Sequence, residues 1–266
     1  MTDLLEVYDS QLREAAEVAT ATRWQRHGPL LWAEYDGGHG EDGQGFVTYG
    51  PLDPLPPALL RDLVAATHAH FVARRQVATV EWKARGHDPT PMLGTILEAY
   101  GFVPGEEESV MMGEAQRLAL DLPLPTGVTV RSIHDREEIE AAAALADEVF
   151  GSTTSAARIA EWVRRTSPEV DEIELWVAEA DGRMISAGRL DPVPGTTVAG
   201  IWGGGTLPAW RGRGIYRVLL AERARSALRR GYSVLHSDST AYSRPILERS
   251  GFQRVTTTTP YEWTRP

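Results

Sequence analysis

Two heptapeptides of this 266-residue chain share one pattern, Ile96-Leu-Glu-Ala-Tyr-Gly-Phe102 and Ile246-Leu-Glu-Arg-Ser-Gly-Phe252. Each reads as a short helix stopped by glycine, the residue that tolerates a left-handed helix end, and then an extended segment. Before the first copy stand a strand from Phe46 to Gly50, a helix from Pro57 to Arg75 and a strand from Val77 to Lys83. Before the second stand a strand from Thr197 to Leu207, a helix from Arg211 to Arg230 closed by Gly231, and a strand from Tyr232 to His236. The matching order marks an internal repeat, so the chain is expected to build one architecture twice. The Pro-rich stretch Asp121-Leu-Pro-Leu-Pro-Thr-Gly127 separates the copies and sets expected domains at residues 1–122 and 123–266.

The second copy is the fuller one. Val128 to Ser132 alternates as a strand, and Asp135 to Phe150 follows as a helix with Ile139, Ala142, Leu145, Ala146 and Val149 on one face. Strands at Ile173 to Ala180 and Met184 to Leu190 flank the hairpin signal Ala180-Asp-Gly-Arg183. The end reads as a helix from Ser243 to Ser250 and strands at Phe252 to Val255 and Tyr261 to Trp263. The order β-α-β-β-β-α-β-α-β-β predicts a mixed α/β fold. In the first half the N-terminal segment reads as an amphipathic acidic helix, and Asp36 to Gly45 as a long hairpin or a flap.

Composition removes several function classes. The chain has no cysteine, hence no disulfide, no thiolate metal site and no cysteine nucleophile. His68 and His70 share a helix without metal-ligand spacing, so no metal is expected. No apolar run is long enough to cross a bilayer and the N-terminus lacks a secretory pattern, which predicts a cytoplasmic protein with no membrane role. The formal net charge of -10 lies in the first half, the second being balanced. That balance argues against nucleic acid, which needs a basic face. The acidic half serves either solubility or the steering of a cationic partner. Glu106-Glu-Glu108 reads as a solvated turn and Trp82 as core.

The chemistry concentrates at Pro208-Ala-Trp-Arg-Gly-Arg-Gly-Ile215, between a strand and a helix. A helix start leaves backbone N–H groups unpaired at the positive end of the macrodipole, where phosphate binds. Gly212 and Gly214 remove the β-carbons that would hold a pyrophosphate off the backbone, and Arg211 and Arg213 add guanidinium donors. Neither a Gly-Lys-Ser/Thr P-loop nor a G-x-G-x-x-G fingerprint is present. Upstream, Ile201-Trp-Gly-Gly-Gly-Thr206 places three glycines inside a strand, the pattern of a bulge or of a close backbone approach by a ligand.

With these motifs residues 128–266 resemble the GNAT superfamily of acyl-CoA-dependent N-acetyltransferases. The loop Arg211-Gly-Arg-Gly-Ile-Tyr216 matches the family's Q/R-x-x-G-x-G/A, and Gly251-Phe252 matches its terminal element. The resemblance implies tandem GNAT-like folds with a mostly antiparallel mixed sheet, helices on both faces, and a splay at the coenzyme A site. It also implies that the amides of Arg211, Gly212, Arg213, Gly214, Ile215 and Tyr216 bind the pyrophosphate of acetyl-CoA, with Thr206 and Leu207 beside the pantetheine arm. Two positions depart from the pattern. Tyr216 stands where the family has Gly or Ala, so its side chain must turn away from the pyrophosphate. Leu247 stands where the family often has the tyrosine that protonates the leaving thiolate. The first half resembles a diverged GNAT half whose loop reads Pro51-Leu-Asp-Pro-Leu-Pro-Pro57. Prolines remove donors and Asp53 repels phosphate, so this half is expected to bind no coenzyme A and to support the other.

For proton transfer, His236 and Asp238 share a strand face and are candidate bases; His236 reads equally as a core histidine and Asp238 as a turn cap. Tyr242 and Ser243 are candidate acids, with Ser243 also an N-cap and Tyr242 also core or an acceptor contact. Strand amides near Thr206 and Leu207 are candidates for polarising the acyl carbonyl. The expected function is transfer of an acetyl group from acetyl-CoA to a primary amine of a small molecule, possibly a cationic one, by a monomer or homodimer. The alternatives are a non-catalytic acyl-CoA sensor and a peptide or protein N-acetyltransferase.

Overall fold

The computed structural model describes residues 2–37 and 43–266, so most of the connection between Asp36 and Gly45 lies outside the described residues. Packing divides the chain into two units that do not follow the Pro-rich break. One comprises Met1–Met111, Asp238–Pro245 and Arg254–Pro266; the other comprises Met112–Ser237 and Ile246–Gln253.

The first unit opens with helix α1 (Leu4–Gln11), whose first amides are capped by the Asp3 carboxylate at 3.1 and 3.2 Å. Strands β1 (Arg23–His27) and β2 (Leu30–Tyr35) form an antiparallel hairpin that the sequence pattern did not reveal. Then come β3 (Gly43–Tyr49), α2 (Pro57–Val72), β4 (Val77–Arg85), α3 (Leu93–Ala99), β5 (Val103–Pro104) and β6 (Glu108–Glu114). Strands β3 and β4 run parallel. The last strand of the chain, β12 (Gln253–Thr264), pairs antiparallel with β4 from Thr258↔Arg85 to Thr264↔Thr79, giving the order β1-β2-β3-β4-β12. It is a single strand in place of the two expected. Its Trp263 joins Trp32, Val47, Phe71, Val80, Trp82 and Leu97 in the core. His68 packs edge-on against Trp263, and His70 lies against Trp32, so both work as ring contacts.

The second unit contains β7 (Val128–Ile133), α5 (Arg136–Phe150), α6 (Ala156–Thr166), β8 (Glu174–Ala180), β9 (Arg183–Pro192), β10 (Val198–Thr206), α7 (Ile215–Arg229) and the start of β11 (Val234–Ser239). Its sheet order is β11-β10-β9-β8-β7, antiparallel except for the β10–β11 pair. Helix α6 was not anticipated; it is strongly basic on one side and contributes only Ile159, Trp162 and Val163 to the core.

The repeated heptapeptides close their helices with the same bonds. Gly101 N–H donates to Glu98 O and Phe102 N–H to Leu97 O, at 3.0 and 3.1 Å. In α8 (Arg244–Ser250), Gly251 N–H donates to Glu248 O and Phe252 N–H to Leu247 O, both at 3.1 Å. Gly101 and Gly251 have positive φ, +82° and +107°, and both phenylalanines are buried.

The first unit also buries a charged network that no local pattern could announce. Arg85, with a fully buried side chain, bonds Glu17 and Thr48; Lys83 reaches Glu17 at 3.3 Å and Asp238 at 3.0 Å. Burial alone would raise the Glu17 carboxyl, but Arg85, Lys83 and the Thr48 hydroxyl outweigh it and hold the group below the usual glutamate range. A depressed carboxylate stabilises the fold above its unfolded pKa and loses that contribution as pH falls through its folded one. E17Q is therefore expected to cost about 3–5 kcal/mol at neutral pH, because it leaves two buried cations short of a partner. Thermal melts should show the deficit shrinking as pH drops below the glutamate range.

Candidate functional site

The second unit's site begins where a strand pair ends. Strands β10 and β11 are in register only at Val198↔Val234, Ala199↔Leu235 and Gly200↔His236, while β10 continues to Thr206. Beyond Gly200 that edge of β10 loses its partner in the unit. On its other edge β10 stays paired with β9, with a register shift between Trp202 and Gly205. Gly203 occupies the bulge with φ +60°, a conformation that only glycine adopts cheaply.

The three glycines of this strand do different jobs. Gly203 makes the bulge. A β-carbon at Gly204 would lie 2.7 Å from Cε2 of Tyr216, and one at Gly205 would lie 3.0 Å from Val149 Cγ1. Two of the glycines thus make room for the chain's own side chains, and the space expected for a ligand on that face is occupied by the Tyr216 ring. Tyr216 does turn away from the loop, inward onto β10.

A 3-10 turn at Pro208–Trp210 leads into the loop. Gly212 and Gly214 have φ of +74° and +79°, and nothing stands within 4 Å of where a β-carbon would be on either. This open cradle fits a pyrophosphate. Gly214 is the N-cap of α7 and no side chain caps the helix, so its first-turn amides await an external acceptor. Arg211 Nε donates to Thr206 O at 3.0 Å, which ties the loop to the strand end, and Arg213 stacks over Trp210 at 4.7 Å. Both arginines are exposed. Ile215 is buried among Val128, Ala178, Ala180 and Ile185, so only its amide is available.

The strand amides separate. Leu207 N–H donates to Ile185 O at 2.9 Å and is committed to the sheet. Alternation along a strand aims the Thr206 N–H to the opposite edge, the one β11 has left. The Thr206 side chain is held by Ser186 Oγ at 2.8 Å.

Each candidate acid–base residue has its own setting. His236 is buried edge-on against Trp202 at 5.5 Å in the second unit. Asp238 belongs to the first unit, where Lys83 holds its carboxylate. Tyr242 is 74% exposed, and the Ser243 hydroxyl turns back to Thr240 at 3.3 Å. Leu247 is buried.

In the first unit the equivalent strand end is filled. Arg13, buried beside α1, donates to Tyr49 O at 3.1 Å and Gly50 O at 2.9 Å and pairs with Asp88 at 2.8 Å. The Glu14 carboxyl lies against Gly50. Helix α2 begins after Pro56 with proline in its first turn, where the donor of a phosphate cradle is missing.

Residues 129–255 match the family model for an acetyltransferase (GNAT) domain. The whole chain has the fold of tandem GNAT proteins. A GCN5-related N-acetyltransferase from Kribbella flavida superposes with a TM-score of 0.69 at 20% identity, over 94% of this chain and 96% of that one. One from Sphaerobacter thermophilus gives 0.64 at 19%, over 90% and 78%. A tandem GNAT protein from the clavulanic acid biosynthesis pathway gives 0.63 at 15%, over 91% and 82%. Comparison with curated proteins finds no match.

The Gly204–Tyr216 contact yields a direct test. G204A should force the ring off the strand and cost about 1–3 kcal/mol of stability, as overpacking does. Combining it with Y216A should recover part of the loss, which a double-mutant cycle by chemical denaturation would measure.

Proposed function

We propose that this protein is an acyl-CoA-dependent N-acetyltransferase that moves an acetyl group from acetyl-CoA to a primary amine of a small molecule. The observation that carries the reading is the uncapped α7 N-terminus, opened by two left-handed glycines, at the end of a strand whose free edge faces no partner in its unit. In this reading the amides of Gly212 to Tyr216 hold the pyrophosphate, Arg211 and Arg213 flank it, and the Thr206 amide faces the acyl carbonyl. The amine nitrogen bonds to the acyl carbon, the carbon–sulfur bond breaks, and the proton lost by the amine is taken up by water or by the departing thiolate. Positioning carries much of the rate in such a reaction.

The acceptor is read as cationic. The formal net charge of -10 lies in the first half of the chain, and such an acidic balance steers a cation toward the protein. Among the described residues no helix is long and apolar enough to cross a membrane. We place the enzyme in the cytoplasm.

A second reading, a non-catalytic acyl-CoA sensor, draws on the buried Leu247 and on the Lys83–Asp238 ion pair. Thiol release from acetyl-CoA across a panel of small amines, polyamines included, separates the two. Amine-stimulated release supports the enzyme; coenzyme A binding without any release supports the sensor. G214V should weaken coenzyme A binding by about 10-fold or more, because a β-branched residue is strained at positive φ and intrudes on the cradle. Calorimetry that detects no coenzyme A binding to the wild type would sink both readings.

A further inference from the structure

Helix α7 conceals a cation that nothing in its surroundings neutralises. Arg223 is completely buried. Its Nε donates to Leu219 O and its Nη1 to Arg189 O, both at 3.3 Å, while Nη2 has no hydrogen-bond partner. No carboxylate forms an ion pair with it among the described residues. Neutral carbonyls are weak compensation for a desolvated guanidinium, and an isosteric apolar residue would pack there at lower cost.

The fold makes deliberate room for it. A β-carbon at Gly188 of β9 would stand 2.7 Å from Nη1, so the guanidinium fills the notch that glycine leaves. The bond to Leu219 O, one turn back, shows that the side chain runs toward the helix N-terminus, as helical side chains tilt. It ends near the ring of Tyr216, whose centroid is 6.0 Å from Cζ. Burial lowers the Arg223 pKa and Tyr216 is the group that opposes it. Tyr216 is the second residue of α7, beside the cradle glycines, and its ring is pinned against Gly204.

We propose that Arg223 is a positioning residue whose unneutralised charge adds to the α7 dipole and holds the anionic part of the acyl donor, with Tyr216 fixing the guanidinium behind the cradle. The macrodipole supplies a partial positive charge at the loop, and a full charge deeper along α7, in a dry interior, is screened far less than a surface arginine. Arg211 and Arg213 then set the entry of the phosphates, and Arg223 sets their depth. The role rests on the coenzyme A site proposed above.

The experiment compares two ligands, coenzyme A and acetyl-pantetheine, the second of which carries the pantetheine arm and lacks every phosphate. Wild type, R223M, R223Q and R223K are measured by competition binding, with thermal melts as the fold control. R223M is expected to melt at the same temperature or higher, to bind coenzyme A about 10-fold more weakly, and to bind acetyl-pantetheine unchanged. R223K, whose ammonium burial pushes toward the neutral form, should recover coenzyme A affinity as pH is lowered, which R223M should not. Unchanged coenzyme A binding by R223M, or an equal loss on both ligands, overturns the proposal. If R223M does not fold, R223Q read against R223K decides by the same criteria. A wild type that binds no coenzyme A refutes the site itself, whereas a wild type weakened by G214V but indifferent to R223M refutes only the role of Arg223.

Discussion

Everything distinctive in the second unit depends on amides that the chain leaves without an acceptor. Gly212 and Gly214 turn the backbone left-handed just ahead of α7, and no side chain folds over to cap it. A helix start that meets neither a cap nor water-excluding packing is an anion site by construction. The surroundings preserve that opening. Arg211 braces the loop on Thr206 O, Trp210 carries Arg213, and Ile215 nails the first turn into the core. The bulge at Gly203 and the loss of β11 after Gly200 then free the adjoining strand edge, so that one extended ligand can meet both strand and helix amides.

The first unit repeats the strand, helix, strand and short helix of this plan and arrives at a closed structure. Where the second unit has glycine, it has proline at the start of α2. Where the second unit leaves polar backbone for a ligand, Arg13 saturates the carbonyls of Tyr49 and Gly50 and is itself neutralised by Asp9 and Asp88. Leu52 and Leu55 anchor the Pro-rich loop onto the core. At this strand end charge is compensated inside the unit. Arg13 and Arg223 are both buried arginines, and the contrast between them is instructive: the first has two carboxylates, the second none.

The features legible in the sequence were those whose cause is local. Positive-φ glycines, the helix-stopping Gly-Phe elements and the period of α7 all act within a few residues, and the structure has them where the sequence pattern put them. Long-range pairings were not legible. The return of β12 to β4 depends on a partner strand in the other half of the chain, and it redraws the division of the chain that Asp121 to Gly127 implied. Asp238 is a candidate because it shares a strand face with His236, and its pairing with Lys83, 155 positions away, has no local signal. Arg223 reads as one more arginine on a surface helix, and only Gly188 and Tyr216, from other turns and strands, reveal its burial. The triple glycine of β10 carried a correct signal of close approach but not the identity of what approaches, which is largely Tyr216, Val149 and Phe150.

Leu247 brings the repeat and the chemistry together. It corresponds to Leu97; both are buried and both accept a phenylalanine N–H through their carbonyl as the helix ends. The position is therefore held by closure and core packing in both copies, and a tyrosine hydroxyl there would need a partner that this apolar setting lacks. An alkyl thiol has a pKa of about 8.5, so its thiolate can leave at neutral pH and take its proton from water or from the acylated amine. Loss of a dedicated acid then costs less than loss of position would, since holding nucleophile and thioester in line supplies the larger share of the barrier reduction. On the proposed function, fixing the donor by backbone amides and glycines is then coherent chemistry without a tyrosine at position 247.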